Sequence, residues 1–250
     1  MSNIFSLSGK KILVTGASSG IGKSIAIAIS EQGGEVILVG RNLERLQETF
    51  DSLDGQGHQL ISLDLNDEDK ITSMVSGLNK IDGIVHSAGV VKTLPIKFLN
   101  RTELRDIMSI NFEVPVILTQ KLLKAKKINA GGSIIFISSL AGPYIGVKGN
   151  GAYSASKGAL NGIMKVMCVE LASQKIRVNC ICPGMVKTPM TENELAAVSK
   201  EQLILDEQQY PLGYGNPEDV AYASVYLLSN ASKWVSGTSL VLDGGFSISN

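Results

Sequence analysis

The sequence predicts an α/β fold in which a parallel β-sheet is covered by helices on both faces. Short apolar segments rich in β-branched residues alternate with helical patterns along the chain. Strands of this composition are typical of a sheet that is buried on both faces, and right-handed crossovers between them produce a doubly wound arrangement. The predicted strands span residues 11–15, 35–40, 59–64, 81–87, 133–138, 177–182 and 238–242.

Length and composition indicate one domain, residues 1–250. A chain of 250 residues with 44% hydrophobic residues can bury one sizeable core, and no linker, repeat or low-complexity stretch divides it. The 23 basic and 23 acidic residues balance and form no basic stripe, so nucleic-acid binding is not expected. Neither a signal peptide nor an apolar run approaching roughly 18 residues is present, which predicts a soluble, cytoplasmic protein with no membrane partner.

The three cysteines are Cys168, Cys180 and Cys182. Their number is odd and they lie in strongly periodic segments, so we expect buried, reduced thiols and no disulfides. Cys180 and Cys182 share one side of a predicted strand, where core packing is expected. No metal site is predicted, because no histidine or second cysteine pair is near them in sequence.

A glycine-rich segment follows the first predicted strand. Strand 11–15 continues directly into Gly16-Ala-Ser-Ser-Gly20-Ile-Gly22, and a helical pattern follows over residues 21–32. Such a turn presents backbone N–H groups and the positive end of a helix to a phosphate, with no Cβ in the way. The spacing is G-x-x-x-G-x-G, where the commoner dinucleotide fingerprint is G-x-G-x-x-G. The turn therefore predicts a pyrophosphate site; the alternative is a tight βα turn that binds nothing.

Tyr153 and Lys157 are four residues apart in a helical pattern, which places them on the same helix face. The pKa of a free phenol is about 10, and a nearby ammonium lowers it by favouring the phenolate. The pair is therefore a candidate general acid/base, although the same spacing also occurs in solvated pairs that have no catalytic role.

Together, the two segments resemble the short-chain dehydrogenase/reductase family, whose members carry TGxxxGxG near the N-terminus and YxxxK after mid-chain. Further motifs follow in the family's order: His86-Ser-Ala-Gly89, Asn111, Ser138-Ser139, Pro183-Gly184 with Thr188, and Val241-Leu-Asp-Gly-Gly245. The resemblance covers essentially the whole chain. It implies a single-domain Rossmann fold, supports the strand at 238–242 as the seventh of the sheet, and gives the strand order 3-2-1-4-5-6-7. One departure stands out, because His86 and Ser87 replace the two asparagines of the family's NNAG.

The resemblance implies four catalytic residues: Asn111, Ser139, Tyr153 and Lys157. Tyr153 would exchange a proton with the substrate oxygen, and Lys157 would lower the pKa of Tyr153 and bind the nicotinamide ribose. Ser139 would orient the substrate oxygen, and Asn111 would hold a water linked to Lys157. The alternatives are that Ser138 and Ser139 cap a strand end and that Asn111 kinks a helix.

The cofactor contacts are expected at one rim, because the residues that follow or end parallel strands meet at one edge of the sheet. The predicted cofactor-binding residues are Gly16, Ser18, Ser19, Gly20, Ile21, Gly22, Arg41, Asn42, Asp64, Leu65, Ser87, Ala88, Gly89, Tyr153, Lys157, Pro183, Gly184, Val186 and Thr188.

The end of the second strand indicates which cofactor binds. An NAD enzyme would present an acidic residue there to the ribose 2′-hydroxyl, but this chain has Val39-Gly40-Arg41-Asn42. Arg41, helped by Ser18 or Ser19, could bind a 2′-phosphate through charge-assisted hydrogen bonds. NADP(H) is therefore the expected cofactor; alternatively, Arg41 is a surface residue at the start of a helix.

The substrate is less well defined by the sequence. The resemblance places a substrate loop at about 185–213, and Pro143-Tyr-Ile145 would add an apolar wall that favours a neutral carbonyl substrate. The segments 212–220 and 236–238 are most similar to 3-oxoacyl-[acyl carrier protein] reductases, which raises the possibility of a carrier-bound substrate. Four lysines could meet an acidic carrier or form a solvated helix end: Lys121, Lys124, Lys126 and Lys127.

Alternatives to this substrate remain open. They are a reductase of sugar, steroid or small ketone substrates and a non-catalytic NADP-binding regulatory protein. A sugar epimerase or dehydratase is disfavoured, because such chains are usually longer. Wide apolar faces on predicted helices 101–127 and 153–173 suit a homotetramer, although burial within the monomer would also explain them. Residues 246–250 could reach a neighbouring subunit or simply fray.

Overall fold

The computed structural model describes residues 3–195 and 199–249, and a parallel sheet forms its centre. The strands are β1 (Lys11–Thr15), β2 (Glu35–Gly40), β3 (Gln59–Ser62), β4 (Ile81–His86), β5 (Ile128–Ile137), β6 (Arg177–Pro183) and β7 (Ser239–Leu242). Within the described residues they form one sheet in the order β3-β2-β1-β4-β5-β6-β7, and every neighbouring pair is parallel. The predicted seven-stranded order is confirmed.

Helices cover both faces of the sheet. They are α1 (Gly20–Glu31), α2 (Leu43–Phe50), α3 (Glu68–Gly77), α4 (Arg101–Met108), α5 (Val114–Lys124), α6 (Gly151–Glu170), α7 (Pro189–Leu195), α8 (Lys200–Glu207) and α9 (Pro217–Leu228). Buried residues of α1, α2 and α9 share one hydrophobic core, and those of α3, α5 and α6 share the other. The predicted two-sided covering is therefore confirmed.

The central strand β1 shows why the sheet needs both layers. Ile12 and Val14 pack in the core on one face, whereas Leu13 packs in the core on the other. All three are fully buried. Because alternate side chains of a strand point to opposite faces, a continuous apolar strand requires cover on both sides. Each such side chain contributes roughly 1.5–3 kcal/mol through burial.

Some predicted boundaries are wrong. Strand β5 begins at Ile128, five residues before the predicted start, because Ile128 pairs with Ile81 ahead of a register shift that brings Ser133 opposite Gly83. Strands β3 and β4 end earlier than predicted, at Ser62 and His86.

The predicted helix over residues 101–127 is interrupted. A π-helical segment, Ser109–Glu113, separates α4 from α5, and α5 ends at Lys124. Segments of this kind occur frequently at functional sites. This one contains Asn111.

All three cysteine thiols are free. Cys180 and Cys182 are buried in the core of the α6 face, as expected from their position on β6. Cys168 is only partly buried, and its sulfur lies 3.1 Å from the Ser236 hydroxyl. The expectation of a buried thiol is therefore wrong for Cys168, whereas the expectation of a reduced thiol is confirmed. Among residues 3–195 and 199–249, no helix has the length and apolar character required to cross a membrane.

Candidate active site

A cleft lies along the carboxyl edge of the sheet, next to the point between β1 and β4 where the strand order reverses. In doubly wound sheets ligands bind at this reversal. The cleft is lined by every predicted catalytic and cofactor-binding residue except Asn111, which lies behind its wall. Lining residues absent from the prediction are Gly40, Arg45, Leu63, Val90, Ile110, Ile137, Ser138, Pro189, Met190 and Thr191. Eight of the ten lie within two residues of a predicted site position, and Arg45 and Thr191 lie three residues away, so short extensions of the motifs would have included them.

The glycine turn between β1 and α1 leaves no space for a side chain at Gly16 or at Gly22. Gly16 has a φ of +68°, and a Cβ placed there would lie 2.8 Å from backbone atoms of Ala88. A Cβ on Gly22 would lie 2.3 Å from the carbonyl oxygen of Gly16. The residue before the helix, Ser19, makes no side-chain capping bond to α1, so its hydroxyl does not occupy the helix N-terminus. The turn therefore offers free N–H groups and a positive helix end, which fit an anionic phosphate group.

Two arginines lie at the end of β2. Arg41 and Arg45 are both exposed and both line the cleft. Between them, Asn42 caps α2, because its side-chain oxygen accepts a 2.9 Å hydrogen bond from the Arg45 backbone N–H. A Cβ on Gly40 would lie 3.5 Å from the Ser18 hydroxyl oxygen, so the glycine turn borders this strand end. The structure thus places a second cation beside the predicted one.

Asp64 and Leu65 line the cleft after β3. Leu65 is buried, and the carboxylate of Asp64 accepts a 3.0 Å hydrogen bond from the backbone N–H of Asn66. Across the cleft, the backbone N–H groups of Ser87 and Ala88 each donate a 3.2 Å hydrogen bond to the Thr15 hydroxyl. These bonds hold the segment after β4 against the end of β1.

Tyr153 and Lys157 lie on successive turns of α6 and both line the cleft. The Lys157 ammonium nitrogen lies 5.6 Å from the centroid of the Tyr153 ring. It donates a 2.8 Å hydrogen bond to the carbonyl oxygen of Ile137 at the end of β5. Lys157 is 5% exposed, and this burial lowers its pKa to about 8. A partly desolvated ammonium is therefore held close to the tyrosine ring.

The two serines after β5 have different environments. Ser138 is buried, and its hydroxyl lies 3.0 Å from the carbonyl oxygen of Lys157 and 2.6 Å from the side-chain oxygen of Asn161. Ser139 is partly exposed, and its hydroxyl oxygen accepts a 3.1 Å hydrogen bond from the Ala141 N–H. The Ser139 hydroxyl hydrogen is not used in that bond, so it can be donated toward the cleft.

Asn111 lies in the π-helical segment and is 1% exposed. Its carboxamide binds the backbone of Val90 through two bonds, accepting from the N–H at 2.8 Å and donating to the carbonyl at 2.9 Å. A Cβ on Gly89 would lie 3.3 Å from the Asn111 side-chain oxygen and 3.5 Å from the Lys157 nitrogen. The side chain therefore supports the cleft wall beside Lys157, and its predicted role in holding a water stays a prediction.

His86 departs from the family motif and is buried on the side of the sheet facing α5. Its ring stacks on Phe136 with centroids 5.0 Å apart, and Nε2 lies 2.8 Å from the Thr119 hydroxyl. Nδ1 is buried without a hydrogen-bond partner. Burial lowers the pKa of His86 to about 3, so the ring is neutral near pH 7.

The segment predicted as a substrate loop forms α7 and α8, and residues 196–198 within it lie outside the described residues. Its start is held by a threonine pair: the Thr191 hydroxyl accepts from the Thr188 N–H at 2.9 Å and donates to the Val186 carbonyl at 2.8 Å. Lys187 and Glu207 form a 3.0 Å ion pair across it. Val186 and Thr188 are buried, as are the nearby strand-end residues Pro183 and, in part, Gly184.

Apolar side chains of this loop are divided between exposed and packed positions. Met190 and Leu205 are exposed, whereas Leu203 and Tyr210 are partly buried. The ring of Tyr210 stacks on Phe246 with centroids 4.5 Å apart. The side chain of Leu195 lies outside the described residues. The C-terminal segment therefore packs against the loop of its own chain through Phe246.

The four candidate carrier-binding lysines are not equivalent. Lys121 forms a 2.9 Å ion pair with Glu68, and Lys127 donates hydrogen bonds to the carbonyl oxygens of Ser76 and Leu78. Lys124 and Lys126 are exposed. At least half of the proposed basic cluster is therefore engaged within the chain.

Comparison with known proteins identifies the family. A family model described as enoyl-(acyl carrier protein) reductase matches residues 16–247. The 3-oxoacyl-[acyl-carrier-protein] reductase FabG of Rickettsia prowazekii is 35% identical over 241 residues, which cover 96% of this chain and 97% of that protein. Gluconate 5-dehydrogenase of Gluconobacter oxydans is 30% identical, with 99% of this chain and 98% of that protein covered.

Solved structures show the same fold. A short-chain type dehydrogenase/reductase from Mycobacterium marinum has a TM-score of 0.88 and 34% identity, with 98% of both chains covered. A structure from Agrobacterium tumefaciens with bound NADP has a TM-score of 0.87 and 31% identity, covering 98% of this chain and 99% of that one. With a family model, full-length relatives and the seven-stranded fold in agreement, this chain belongs to the short-chain dehydrogenase/reductase family of oxidoreductases.

Proposed function

We propose that this chain is an NADP(H)-dependent oxidoreductase that interconverts a carbonyl and a secondary alcohol by hydride transfer, with Tyr153 as the general acid/base. The observation that carries the proposal is that Tyr153 and the buried ammonium of Lys157 lie in the same cleft as the glycine turn. Proton transfer and a phosphate-binding turn are thereby combined at one site.

Each residue has a role that follows from its position. The nicotinamide cofactor, when bound, supplies the hydride in reduction and accepts it in oxidation. Tyr153 gives a proton to the substrate oxygen in reduction and removes it in oxidation. Lys157 stabilises the phenolate of Tyr153 and would also bind the nicotinamide ribose. Ser139 donates a hydrogen bond to the substrate oxygen, which stabilises the charge that develops there.

Cofactor preference is proposed to come from the two arginines after β2. No carboxylate stands at residues 39–42 to repel a 2′-phosphate, and Arg41 and Arg45 both line that end of the cleft. Charge-assisted hydrogen bonds to a phosphate contribute about 1.5–3 kcal/mol each. The NADP-bound relative supports the same assignment.

For the substrate, we propose a 3-oxoacyl thioester. The FabG relative, which covers nearly the whole chain, supports this choice. Pro143, Tyr144 and Ile145 come four to six residues after Ser139; none of the three lines the cleft, but the Tyr144 ring is half exposed and offers apolar contact to an acyl chain that extends out of it. The gluconate 5-dehydrogenase relative makes a keto sugar the second candidate.

We further propose that residues 1–250 act as one domain in a cytoplasmic homotetramer, with residues 185–213 as the substrate loop. Exposed apolar side chains on the outer helices support association: Leu104 on α4, Ile117 on α5, and Val166 and Val169 on α6. Val166 and Val169 are three residues apart on one face of α6 and are 50% and 78% exposed, and a partner subunit would cover both.

The test is NADPH oxidation with a panel of acyl thioesters, cyclic ketones and keto sugars. We expect turnover with at least one substrate class, and Tyr153→Phe should reduce kcat by about 10²–10⁴-fold while NADPH still binds. Tyr222→Phe is the matched control, because Tyr222 is 61% exposed on α9 and should retain full activity. Tight NADPH binding without turnover of any class would instead favour a non-catalytic regulatory protein. Near-normal turnover by Tyr153→Phe would refute the mechanism.

A further inference from the structure

We infer that Asn161 is a positioning residue for the reaction: it holds the helix that carries Tyr153 and Lys157 in register with the strand end that carries Ser139. This inference rests on the proposed function. Asn161 follows Lys157 by four residues, so Tyr153, Lys157 and Asn161 occupy one face of α6 on three successive turns. The side chain is 9% exposed and does not line the cleft among the described residues.

Both the oxygen and the nitrogen of the Asn161 side-chain amide form hydrogen bonds. Its oxygen accepts a 2.6 Å hydrogen bond from the Ser138 hydroxyl, and its nitrogen donates to the Ser239 hydroxyl at 2.7 Å. The same nitrogen lies 3.5 Å from the sulfur of Cys182. Because Ser138 follows β5, Cys182 lies in β6 and Ser239 begins β7, one side chain joins α6 to three adjacent strands.

The end of β5, Ile137 and Ser138, binds both the side chain and the backbone of Lys157. Ile137 accepts the bond from the Lys157 ammonium, and the next residue, Ser138, shares its hydroxyl hydrogen between the Lys157 carbonyl oxygen and Asn161. The Ser138 backbone N–H donates a 2.8 Å hydrogen bond to the Ile181 carbonyl oxygen of β6, so Ser138 is itself held in the sheet. Ser139 follows directly. A shift of α6 at Asn161 would therefore change the distance between Lys157 and Ser139.

Packing alone does not require an amide at this position. The other buried residues of α6 from Leu160 onward are Leu160, Met164 and Met167, so packing in this part of the helix is otherwise apolar. Apolar contacts permit small sliding movements, whereas hydrogen bonds are directional and select one register. A buried amide left without partners is destabilising, so the network is complete only when α6 is correctly placed. Hydrogen bonds of this kind, behind the site, hold reacting groups close to their productive geometry.

The network also reaches the proposed substrate wall. The Tyr144 hydroxyl lies 3.4 Å from the backbone carbonyl oxygen of Ser239, the residue whose side chain binds Asn161. The wall, the serine pair and the Tyr153–Lys157 helix are thus linked through β7 and Asn161.

The test compares Asn161→Leu with Met164→Ala. Met164 is fully buried on the same helix and makes no polar contact, so its truncation controls for lost stability. The first readout is the ultraviolet titration of Tyr153, obtained by subtracting the same protein carrying Tyr153→Phe. We expect Asn161→Leu to move the titration midpoint upward by at least about half a pH unit and Met164→Ala to leave it unchanged.

The second readout is steady-state kinetics. We expect Asn161→Leu to lower kcat by about tenfold or more, since misplacement of reacting groups by an ångström can cost about 10²-fold, with the KM for NADPH within about twofold. Ser138→Ala should add little to the effect of Asn161→Leu, because both act through one network. Equal titrations and equal kcat losses in Asn161→Leu and Met164→Ala would overturn the inference.

The two proposals fail in different ways. If wild-type protein turns over no substrate, the proposed function fails, and the Tyr153 titration alone decides the role of Asn161. If Asn161→Leu does not fold, Ser239→Ala replaces it, because it removes one partner of the amide near the protein edge. An unchanged titration in Ser239→Ala would then overturn the inference, and an upward shift would support it.

Discussion

Lys157 binds the backbone of Ile137: its ammonium donates a 2.8 Å hydrogen bond to that carbonyl oxygen, two residues before Ser139. The bond connects the centre of α6 to the end of β5. Because the ammonium is 5.6 Å from the Tyr153 ring centroid, the same contact sets where the cation stands relative to the tyrosine. The chemistry proposed for the cleft therefore depends on a helix–strand contact as well as on helical spacing.

The burial of Lys157 should make stability depend on alkaline pH. Its folded-state pKa, about 8, is below the ordinary value of 10.5. Below pH 8 the cost of burying the charge is fully present, and it is relieved as pH rises from 8 to 10.5, where only the unfolded chain keeps the proton.

The difference in stability between Lys157→Met and wild type should therefore move in favour of wild type by about 2.5 kcal/mol between pH 7 and pH 10, because only wild type is relieved of the buried charge. Urea unfolding of the cofactor-free proteins at both pH values measures it. Lys165→Met is the control, because Lys165 is exposed on the same helix. A difference in stability that is equal at both pH values would contradict the prediction.

His86 should make the protein sensitive to acid. Its folded-state pKa of about 3 is below the ordinary 6.5, so stability is complete above pH 6.5 and is lost as pH falls from 6.5 toward 3. At pH 5 the loss from this group is about 2 kcal/mol. His86→Asn should remove that loss, whereas His58→Asn, at the other of the two histidines, should keep it. The measurement is the free energy of unfolding of wild type and both variants at pH 7 and pH 5. An unchanged pH dependence in His86→Asn would refute the prediction.

Gly22→Ala should weaken cofactor binding. The added Cβ would lie 2.3 Å from the Gly16 carbonyl oxygen, so the turn must distort. We expect the Kd for NADPH to rise by at least about tenfold, which corresponds to 1.4 kcal/mol. Gly77→Ala is the matched control, because a Cβ there would meet no atom within 4 Å. Calorimetric titration with NADPH measures both; equal affinities would argue against a phosphate site at this turn.

Arg41 and Arg45 should select NADPH over NADH. We expect Arg41→Asp to reduce the ratio of kcat/KM values for NADPH and NADH by about ten- to hundredfold, and Arg45→Ala to reduce it less. Lys80→Asp makes the same change of charge at the amino end of the sheet, where Lys80 is exposed just before β4. Its ratio should stay at the wild-type value. An unchanged preference in Arg41→Asp would defeat the assignment of the 2′-phosphate site.

Several features could be predicted because they depend on residues close together in the chain. The glycine spacing around Gly16 and Gly22 and the four-residue interval between Tyr153 and Lys157 are local patterns, and the apolar strands carry their own periodicity. The strand order came from the family resemblance, and the rule that parallel strands end at one edge placed the candidate residues in one cleft.

Other features were decided by tertiary structure, because they depend on segments far apart in sequence. Asn161 is an ordinary helical residue until its partners are seen, one of which, Ser239, is 78 residues away. The unpartnered nitrogen of His86 and the early start of β5 likewise result from neighbouring strands and helices. Local patterns thus determined the elements and the candidate chemistry of this protein. Only long-range packing decided which polar groups are buried, paired and held in register, because a hydrogen bond or a desolvated charge depends on atoms that the local sequence does not supply.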